Sequence, residues 1–417
     1  MTSSMPALDG DKLKPYKPIL VALHALPNVG RKRLFQVMLA LADMSGDMLT
    51  GATLTREVET DRPSPTLAFY LERVHRAWLT SQAGAIKRYR DTERLRQALT
   101  EHHVFATQRH LRQRDINVVM WGEKAYPEAL AHIPDPPPIL YVKGKHELLS
   151  TESLAVVGTR RPTPYGMRAA RELSQALALA GFTIVSGLAE GIDAIAHRAA
   201  LSIHGRTVAV LGSSHDHIYP RAHEPLYTEI VEEGAVVSEY PLGTRPSRGL
   251  FPERNRLISG LARGVLVVEG HLGSGSMITA SHALEQGREV FAVPGPIFSA
   301  QSAGPHQLIQ EGAKLVRHPV DILDELRQGS ASWQEKSGID KSHEEKEERN
   351  KTDASTTMTG RESLPHELDI LLKETKHFDD LVLHTSLAPD TLLALLTPLV
   401  LNGTVEKLPG HRYRLRS

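Results

Sequence analysis

The sequence has no cysteine among its 417 residues, which excludes disulfide bonds, thiol nucleophiles and cysteine-ligated zinc. It has no excess of either charge, because 49 lysines and arginines balance 49 aspartates and glutamates. A nucleic-acid site would therefore depend on local clusters of cations. No apolar run approaches the roughly 20 residues that a membrane-spanning helix needs, and the first residues are polar. We therefore expect a cytoplasmic protein without a signal peptide.

Regions with different residue patterns divide the chain, which is too long for one domain of typical size. Residues 1–110 predict a helical module, and residues 111–327 predict a Rossmann-like domain with an extended lead-in. Residues 328–364 are rich in Ser, Thr, Lys and Glu, and they predict a disordered linker because they cannot bury enough apolar area to order themselves. Residues 365–417 predict a small winged-helix-like domain.

The N-terminal region contains Leu-Pro-Asn-Val-Gly-Arg-Lys-Arg, residues Leu26–Arg33, between two apolar helical segments. This stretch resembles a helix-hairpin-helix turn, in which amides after a glycine contact a DNA phosphate. Asn28 stands in the place of the usual first glycine, and asparagine tolerates a left-handed conformation better than most residues. The alternative, which the sequence favours, is a helix–helix packing module with no DNA contact.

The central region alternates short apolar strands with helical patterns. Buried strands followed by helices predict a mostly parallel sheet covered on both faces, with right-handed crossovers. The predicted fold class is therefore α/β, an extended Rossmann-like doubly wound sheet whose ligand crevice lies at the carboxyl ends of the strands. The predicted strands are Leu154–Gly158, Thr183–Ser186, Thr207–Leu211, Ala235–Glu239, Val265–Glu269, Glu289–Val293 and Ala313–Val316, with lead-in strands at Ile116–Met120 and Ile139–Val142.

The C-terminal region predicts three helices and a hairpin, which is the layout of a winged helix. The helices are predicted at His366–Glu374, Asp379–His384 and Asp390–Leu401, and the hairpin strands at Thr404–Leu408 and Arg412–Leu415. The third helix has no basic or amide side chain before Asn402, although major-groove readout needs such groups. We therefore expect a packing role for this helix, while Arg412, Arg414 and Arg416 remain available to phosphates.

The first cationic loop follows the strand that begins at Leu154, and it consists of Gly158, Thr159, Arg160 and Arg161. A buried strand that enters a glycine loop before a helix suits phosphate, because loop amides and the helix N-terminus face the anion. Two arginines add positive charge and bidentate contacts. The alternative is an ordinary strand-to-helix turn with solvated arginines.

A second cationic segment, residues 245–256, holds four arginines around Phe251 and Asn255. Positive charge with an interleaved aromatic suits single-stranded nucleic acid, because phosphates meet the arginines and a base stacks on the ring. Such stacking contributes roughly 1–3 kcal/mol per base. In the alternative interpretation, Phe251 fills the core and the arginines are a solvated helix start.

A third loop, Gly273-Ser274-Gly275-Ser276, lies at a predicted helix start after Glu269, and its residues Ser274, Gly275 and Ser276 also suit phosphate. It lacks the lysine of a Walker loop, and no Gly-x-Gly-x-x-Gly directly follows a strand. We therefore predict neither an ATPase nor a dinucleotide-dependent dehydrogenase.

Histidines near these loops raise the question of a metal. His215, His217 and His223 have no diagnostic ligand spacing, so the sequence predicts no metal and no cofactor. His197 lies on a largely apolar helix, which favours a hydrogen-bonded structural histidine over a catalytic one.

Taken in order, these loops resemble the DNA-processing protein DprA (Smf) family. The helical N-terminal region and the winged-helix-like tail fit the layout of that family more weakly. The matching motifs are Ala155–Arg160, Tyr165-Gly166, Val185–Asp193 with Ala196-His197, Val208–Gly212, Tyr219–Arg221, Phe251–Gly260, Ser274–Ala280 and Val290–Gly295.

The resemblance implies a dimeric protein that binds single-stranded DNA without strong sequence preference. It further implies that the protein shields incoming DNA during natural transformation, loads the recombinase RecA and has no catalytic residues. The implied phosphate ligands are Gly158, Thr159 and Arg160, with Arg161 by adjacency. The implied DNA contacts continue with Arg221, Arg248, a stacking Phe251, and Arg254, Asn255 and Arg256.

Three departures from the family pattern are visible. His223 stands where members often have asparagine, Gly270 replaces the usual alanine after the glutamate, and Met277 stands where leucine is common. All three are mild.

The main alternative is an enzyme. A related Rossmann-like group hydrolyses nucleotides as nucleoside-monophosphate phosphoribohydrolases, and Glu269 beside the Gly-Ser loop would be its acid. The Pro-Gly-Gly-x-Gly-Thr signature of that group is missing from this sequence. A further alternative is a structural assembly module that dimerises without nucleotide affinity.

Overall fold

The computed structural model describes most of the first three-quarters of the chain and parts of the C-terminal region. The described residues are 10–27, 29–43, 65–80, 93–326, 371–385, 387, 391–392, 395–396, 399–400, 404–408 and 412–416. The predicted linker at 328–364 lies outside them, as does Asn28. The chain divides into two compact units, Met1–Leu315 and Val316–Ser417, and each is described by itself.

A nine-stranded sheet forms the centre of the first unit, in the order β1-β2-β6-β5-β4-β3-β7-β8-β9. All neighbours from β6 through β9 are parallel, and β2 pairs antiparallel with both β1 and β6. The strands are β1 Asn117–Met120, β2 Ile139–Gly144, β3 Ser153–Val157, β4 Thr183–Ser186, β5 Thr207–Val210, β6 Ala235–Ser238, β7 Gly264–Val267, β8 Glu289–Ala292 and β9 Lys314–Leu315.

The strand order confirms the predicted doubly wound class. The central strands β3 to β7 are buried on both faces, as expected for parallel strands under helices. Strand order reverses between β3 and β7, because β3 to β6 run outward on one side and β7 to β9 on the other. Ligands of such sheets bind outside the carboxyl ends of the strands at that switch point.

Helices cover both faces of the sheet. The N-terminal helices are α1 Gly10–Leu13, α2 Lys17–His24, α3 Arg31–Asp43, α4 Pro65–Thr80 and α5 Glu101–Gln113. The helices of the central part are α6 Glu128–Ala131, α7 Pro164–Leu179, α8 Ile192–Leu201, α9 Glu224–Glu233, α10 Leu250–Leu261, α11 Gly275–Glu285 and α12 Ala303–Gln310. Helix α10 lies largely in the interior, since its residues from Arg254 to Leu261 are all buried.

The N-terminal helices pack on the lead-in strands. His24 of α2 contacts Tyr141 of β2 through Nδ1 and the hydroxyl, 3.1 Å apart, and the rings of Phe35 and Trp121 lie 4.6 Å apart. Tyr141, Phe35 and Trp121 belong to one apolar core that continues into the sheet. The helical character of this region is confirmed, while a domain boundary near residue 110 stays a prediction.

The second unit contains a three-stranded sheet in the order β10-β12-β11. The predicted hairpin is confirmed, since β11 Val405–Leu408 pairs antiparallel with β12 Arg412–Leu415. A short strand that the sequence did not predict, β10 Lys376–His377, pairs with β12 ahead of α13 Phe378–Thr385. Tyr413 is buried in the apolar cluster of this unit, and burial raises its pKa to about 12. Across the described residues, no helix combines the length and the apolarity needed to span a membrane.

Candidate nucleic-acid interface

A cavity of about 810 Å³ lies at the carboxyl ends of β3 and β7, where the strand order reverses. We call it the switch-point cavity. Most of the residues predicted for a DNA site line it, and they come from loops far apart in sequence. These are Gly158, Thr159, Arg160, Arg161, Arg248, Phe251, Arg254, Asn255, Ser274, Gly275 and Ser276.

Backbone contacts fix the loop after β3. The amide of Thr159 donates to the carbonyl of Glu269 at 2.7 Å, and Thr159 Oγ1 accepts from the amide of Arg161 at 3.2 Å. A Cβ on Gly158 would lie 2.6 Å from a side-chain carbon of Ile192, so this close approach of loop and helix requires glycine. The loop is thus held while the side chains of Arg160 and Arg161 remain exposed.

The first turn of α10 presents Phe251 to the cavity. Its ring lies 5.4 Å from that of Tyr219 and is tilted by 49°, and Arg160 Cζ is 5.9 Å from its centre. The side chain of Phe251 is only partly buried, whereas a side chain that fills the core would be fully buried. Tyr219, which is 47% exposed, also lines the cavity. Tyr219 was not among the predicted site residues, although the Tyr-Pro-Arg motif that contains it was matched and Arg221 was predicted from it.

Arg254 turns away from solvent beneath the same turn. It is 4% exposed, and its Nη1 donates to the carbonyl oxygens of Gly187 and Val210. Burial lowers the pKa of Arg254, and its interaction with buried Asp193 partly offsets that shift. Burial raises the pKa of Asp193, whose Oδ2 accepts from the amide of Gly187 at 3.1 Å. Asp193 and Arg254 thus both bond to the loop after β4, and Arg254 also bonds to the last residue of β5.

Asn255 and Arg256 also make internal contacts. Asn255 Nδ2 donates to the carbonyl of Gly275 at 3.1 Å and so joins α10 to the Gly-Ser loop. Arg256 Nη2 donates to Glu239 Oε2 at 2.5 Å, and Arg256 Nε lies 3.4 Å from Asp135 Oδ2. Arg256 thus lies among acidic groups, whereas Asn255 forms part of the cavity wall.

The Gly-Ser loop starts α11. Ser274 is the N-cap residue of the helix, and its hydroxyl lies 2.8 Å from that of Ser276. A Cβ on Gly275 would meet no atom within 4 Å, so the approach to the first turn is open. Free amides at a helix start favour an anion.

The carboxylate of Glu269, which would be the acid of the enzyme alternative, accepts two hydrogen bonds from Thr163. Its Oε1 accepts from Thr163 Oγ1 at 2.5 Å, and its Oε2 accepts from the amide of Thr163 at 2.9 Å. Thr163 is the N-cap residue of α7, and Glu269 is 2% exposed. The carboxylate therefore secures the start of α7.

Arg221 lies outside the wall of the switch-point cavity, next to Tyr219 and Pro220. Its side chain is 91% exposed, and Nε lies 3.5 Å from a carboxylate oxygen of Glu224. An exposed pair of this kind is worth little and leaves the guanidinium accessible to a phosphate.

The histidines singled out in the sequence make structural contacts. His197 Nδ1 lies 2.7 Å from Thr207 Oγ1, which confirms the predicted structural role, and burial lowers the pKa of His197 to about 3. His215 bonds to the Tyr227 hydroxyl and the Tyr141 carbonyl, at 3.0 and 2.9 Å. His223 bonds to the Leu188 carbonyl at 2.9 Å. The described part of the chain contains no cluster of histidine and carboxylate groups suited to a metal.

The fold and the site together define a class: a Rossmann-like protein with a cavity at the switch point that is lined by arginines and aromatic rings. The profile of the family described as DNA recombination-mediator protein A matches residues 117–327, and that of the DprA winged helix domain matches residues 368–411.

Relatives agree with these profiles. DNA processing protein DprA of Bacillus subtilis is 44% identical over 54% of this chain and 76% of that protein, and protein Smf of Synechocystis is 38% identical over 70% and 78%. The solved structure of DNA processing protein A from Streptococcus pneumoniae superposes with a TM-score of 0.58 at 32% identity, covering 75% of this chain and 97% of that one. This chain belongs to the DNA recombination-mediator protein A (DprA/Smf) family, and its C-terminal region is a winged helix domain.

Proposed function

We propose that this protein binds single-stranded DNA in the switch-point cavity, without strong sequence preference and without catalysing a reaction. One observation carries the proposal: Arg160, Arg161 and Arg248 line the same cavity as Phe251 and Tyr219, beside loops built from small residues. Cations beside exposed ring faces match the phosphates and bases of a single strand.

Each group of cavity residues has its own role in this proposal. Phosphates lie at the Gly158–Arg161 loop and at the start of α11, where Ser274 is the N-cap residue and the amides of Gly275 and Ser276 belong to the free donors of a helix start. A base stacks on Phe251, while Arg221 and Arg248 extend the positive surface. Contacts to phosphate fix the position of the strand and carry no sequence information.

The buried members of the predicted set act through their neighbours. We assign Arg254 the role of holding the loop after β4 and the end of β5, since it donates to the carbonyls of Gly187 and Val210. Asn255 positions the Gly-Ser loop through Gly275, and Arg256 anchors the loop after β6 through Glu239. These three are positioning residues for a DNA-binding cavity.

The test is a titration of binding to an unstructured oligonucleotide against salt. Binding driven by phosphates weakens steeply with salt, with a slope of log affinity on log salt of about −0.7 for each phosphate neutralised on a single strand. We expect tight binding at low salt and a steep loss. Absence of binding at low salt would falsify the proposal.

At the cellular level, we propose that the protein protects single-stranded DNA in the cytoplasm and promotes RecA loading in recombination and natural transformation. Its partners are then RecA and a second copy of itself. Membership of the DNA recombination-mediator family supports this role. The measurement is RecA-filament assembly on DNA already coated by single-strand-binding protein, which the protein should accelerate.

The nucleotide-hydrolysing alternative has no support at Glu269, whose two oxygens are both engaged by Thr163. We expect no release of free base from nucleoside monophosphates. Release that is abolished by Glu269→Gln would favour the enzyme instead.

A further inference from the structure

Three charged residues connect the N-terminal helices to the wall of the switch-point cavity. Arg31, the first residue of α3, donates from Nε to Asp135 Oδ2 at 2.9 Å, and its Nη2 lies 2.7 Å from the same oxygen. Its Nη1 donates to Glu253 Oε2 at 2.8 Å. Asp135 lies between α6 and β2, and Glu253 lies in the first turn of α10. One guanidinium thus connects α3 to groups that are 104 and 222 residues away in sequence.

The first turn of α10 lacks a side-chain cap. Its N-cap residue is Gly249, which has no side chain to accept from the free amides of the helix start. Pro252, in the same turn, carries no amide hydrogen. Contacts from other parts of the chain therefore matter for the position of this turn. The Tyr240 hydroxyl donates to the carbonyl of Leu250 at 3.3 Å, and the bond from Arg31 is shorter, at 2.8 Å.

The same turn carries Phe251, which the proposed function assigns to stacking. Phe251 and Glu253 are separated by one residue, and side chains at this spacing leave a helix in different directions. Phe251 accordingly lines the switch-point cavity, while Glu253 reaches Arg31. Because both belong to one helical turn, a contact that holds Glu253 also holds the backbone that carries Phe251.

The other half of the Arg31 contact is anchored in the interior. Asp135 Oδ2 also accepts from Arg256 Nε at 3.4 Å, and Arg256 Nη2 donates to buried Glu239. A guanidinium is planar and offers donors at fixed angles, so it can bond two carboxylates at once and set their separation. Arg31, whose side chain is 23% exposed, does this for Asp135 and Glu253.

We propose that Arg31 is a positioning residue of the DNA-binding cavity. From α3 it holds the first turn of α10, and with it the ring of Phe251, where a base stacks. The inference rests on the proposed function, because it assumes that Phe251 contacts DNA. It gives the N-terminal helices a role in DNA binding without a DNA contact of their own at Arg31.

The experiment measures affinity by fluorescence anisotropy on the full chain, with an oligothymidine of roughly 16 nucleotides, the upper end of single-strand site sizes. Arg31→Ala and Glu253→Ala remove the bond between α3 and α10 from its two sides. The matched control is Lys17→Ala on α2, which removes another ion pair of the N-terminal helices, with Glu123 at 2.8 Å. Arg171→Ala, at an exposed arginine on α7, controls for the loss of one charge. Thermal melting of each variant establishes that it folds.

Arg31→Ala should weaken binding by up to about fivefold, the most that an ion pair of this exposure contributes. Its salt slope should equal that of the wild type, because no phosphate contact is lost. Glu253→Ala should also weaken binding, although the loss of a negative charge would by itself favour a polyanion. The double variant should bind as Arg31→Ala does, because the two substitutions share one contact. In the Phe251→Ala background, Arg31→Ala should have no further effect, and Lys17→Ala and Arg171→Ala should bind as the wild type does.

Each failure is separable. Wild-type affinity of folded Arg31→Ala or folded Glu253→Ala overturns the inference and leaves the proposed function standing. A salt slope shallower by about 0.7 in Arg31→Ala overturns it too, because Arg31 would then contact a phosphate. Equal weakening by Lys17→Ala overturns it as well, since any loosening of the N-terminal helices would suffice. If Arg31→Ala does not fold, Glu253→Ala decides, because its side chain is 49% exposed. If the wild type does not bind the oligothymidine, the proposed function fails and this inference fails with it.

Discussion

Tyr219 and Phe251 lie with their ring centres 5.4 Å apart and their planes at 49°, although Tyr219 belongs to the loop after β5 and Phe251 to the first turn of α10. Aromatic pairs at this distance stabilise each other's position. The pair forms one apolar wall of a cavity whose other walls are cationic or built from small residues. A base that enters the cavity therefore meets a ring that is already in place.

Replacing Phe251 by alanine should weaken binding of single-stranded DNA by roughly 1–3 kcal/mol, the contribution of one stacked base. The fold should persist, because Phe251 is only partly buried. Anisotropy titrations give the affinity, and thermal melting gives the stability. The matched control is Phe298→Ala, which removes a ring that is 97% exposed. Equal affinity of Phe251→Ala and the wild type would remove the stacking assignment.

Arg160→Ala should weaken binding and also flatten its salt dependence, by about 0.7 in the slope if one phosphate contact is lost. Arg160 is exposed on a loop whose backbone is fixed by Glu269, so the substitution should not disturb the cavity. Arg171→Ala controls for the change in net charge. A weaker affinity with an unchanged slope would mean that Arg160 supports Phe251, 5.9 Å away, and does not bind phosphate.

Local patterns were enough to predict the sheet. Each predicted strand of the central region is present within about two residues, since apolar runs of this length are buried strands. The position of the site was also predictable, because loops after parallel strands meet at one edge. Gly158, Phe251 and Ser274 accordingly line one cavity.

The sequence did not predict which arginine side chains are exposed to solvent and which are buried. Arg248 and Arg254 lie in the same cationic segment, yet Arg248 is exposed and Arg254 is 4% exposed. The difference arises from the carbonyls of Gly187, just after β4, and of Val210, at the end of β5, which are distant in sequence and accept from Arg254. Strand order likewise places Tyr219 beside Phe251. Such long-range contacts leave no periodic signal in one sequence.

Glu269 and Thr163 should show coupled effects on stability. Glu269→Gln removes a carboxylate that accepts two hydrogen bonds from Thr163, and Thr163→Val removes the hydroxyl that also caps α7 through the amide of Gly166. Each substitution should cost roughly 1–2 kcal/mol of unfolding free energy. In urea unfolding, the double variant should lose less than the sum of the two, because they share a contact. Strict additivity would contradict this account of Glu269.

Acid should destabilise the first unit through its buried histidines, and His215 provides the sharpest test. Burial lowers the pKa of His215 from 6.5 to about 4, so the folded state keeps the ring neutral where the unfolded chain binds a proton. The stability contributed by neutral His215 is therefore fully present above pH 6.5, declines as pH falls, and is lost by about pH 4. The decline is about 1.4 kcal/mol per pH unit for one such group.

His215→Gln keeps a donor for the Tyr141 carbonyl but cannot be protonated. Urea unfolding between these pH values should show a slope shallower by one proton in the variant. Parallel curves for His215→Gln and the wild type would show that His215 binds its proton equally in both states.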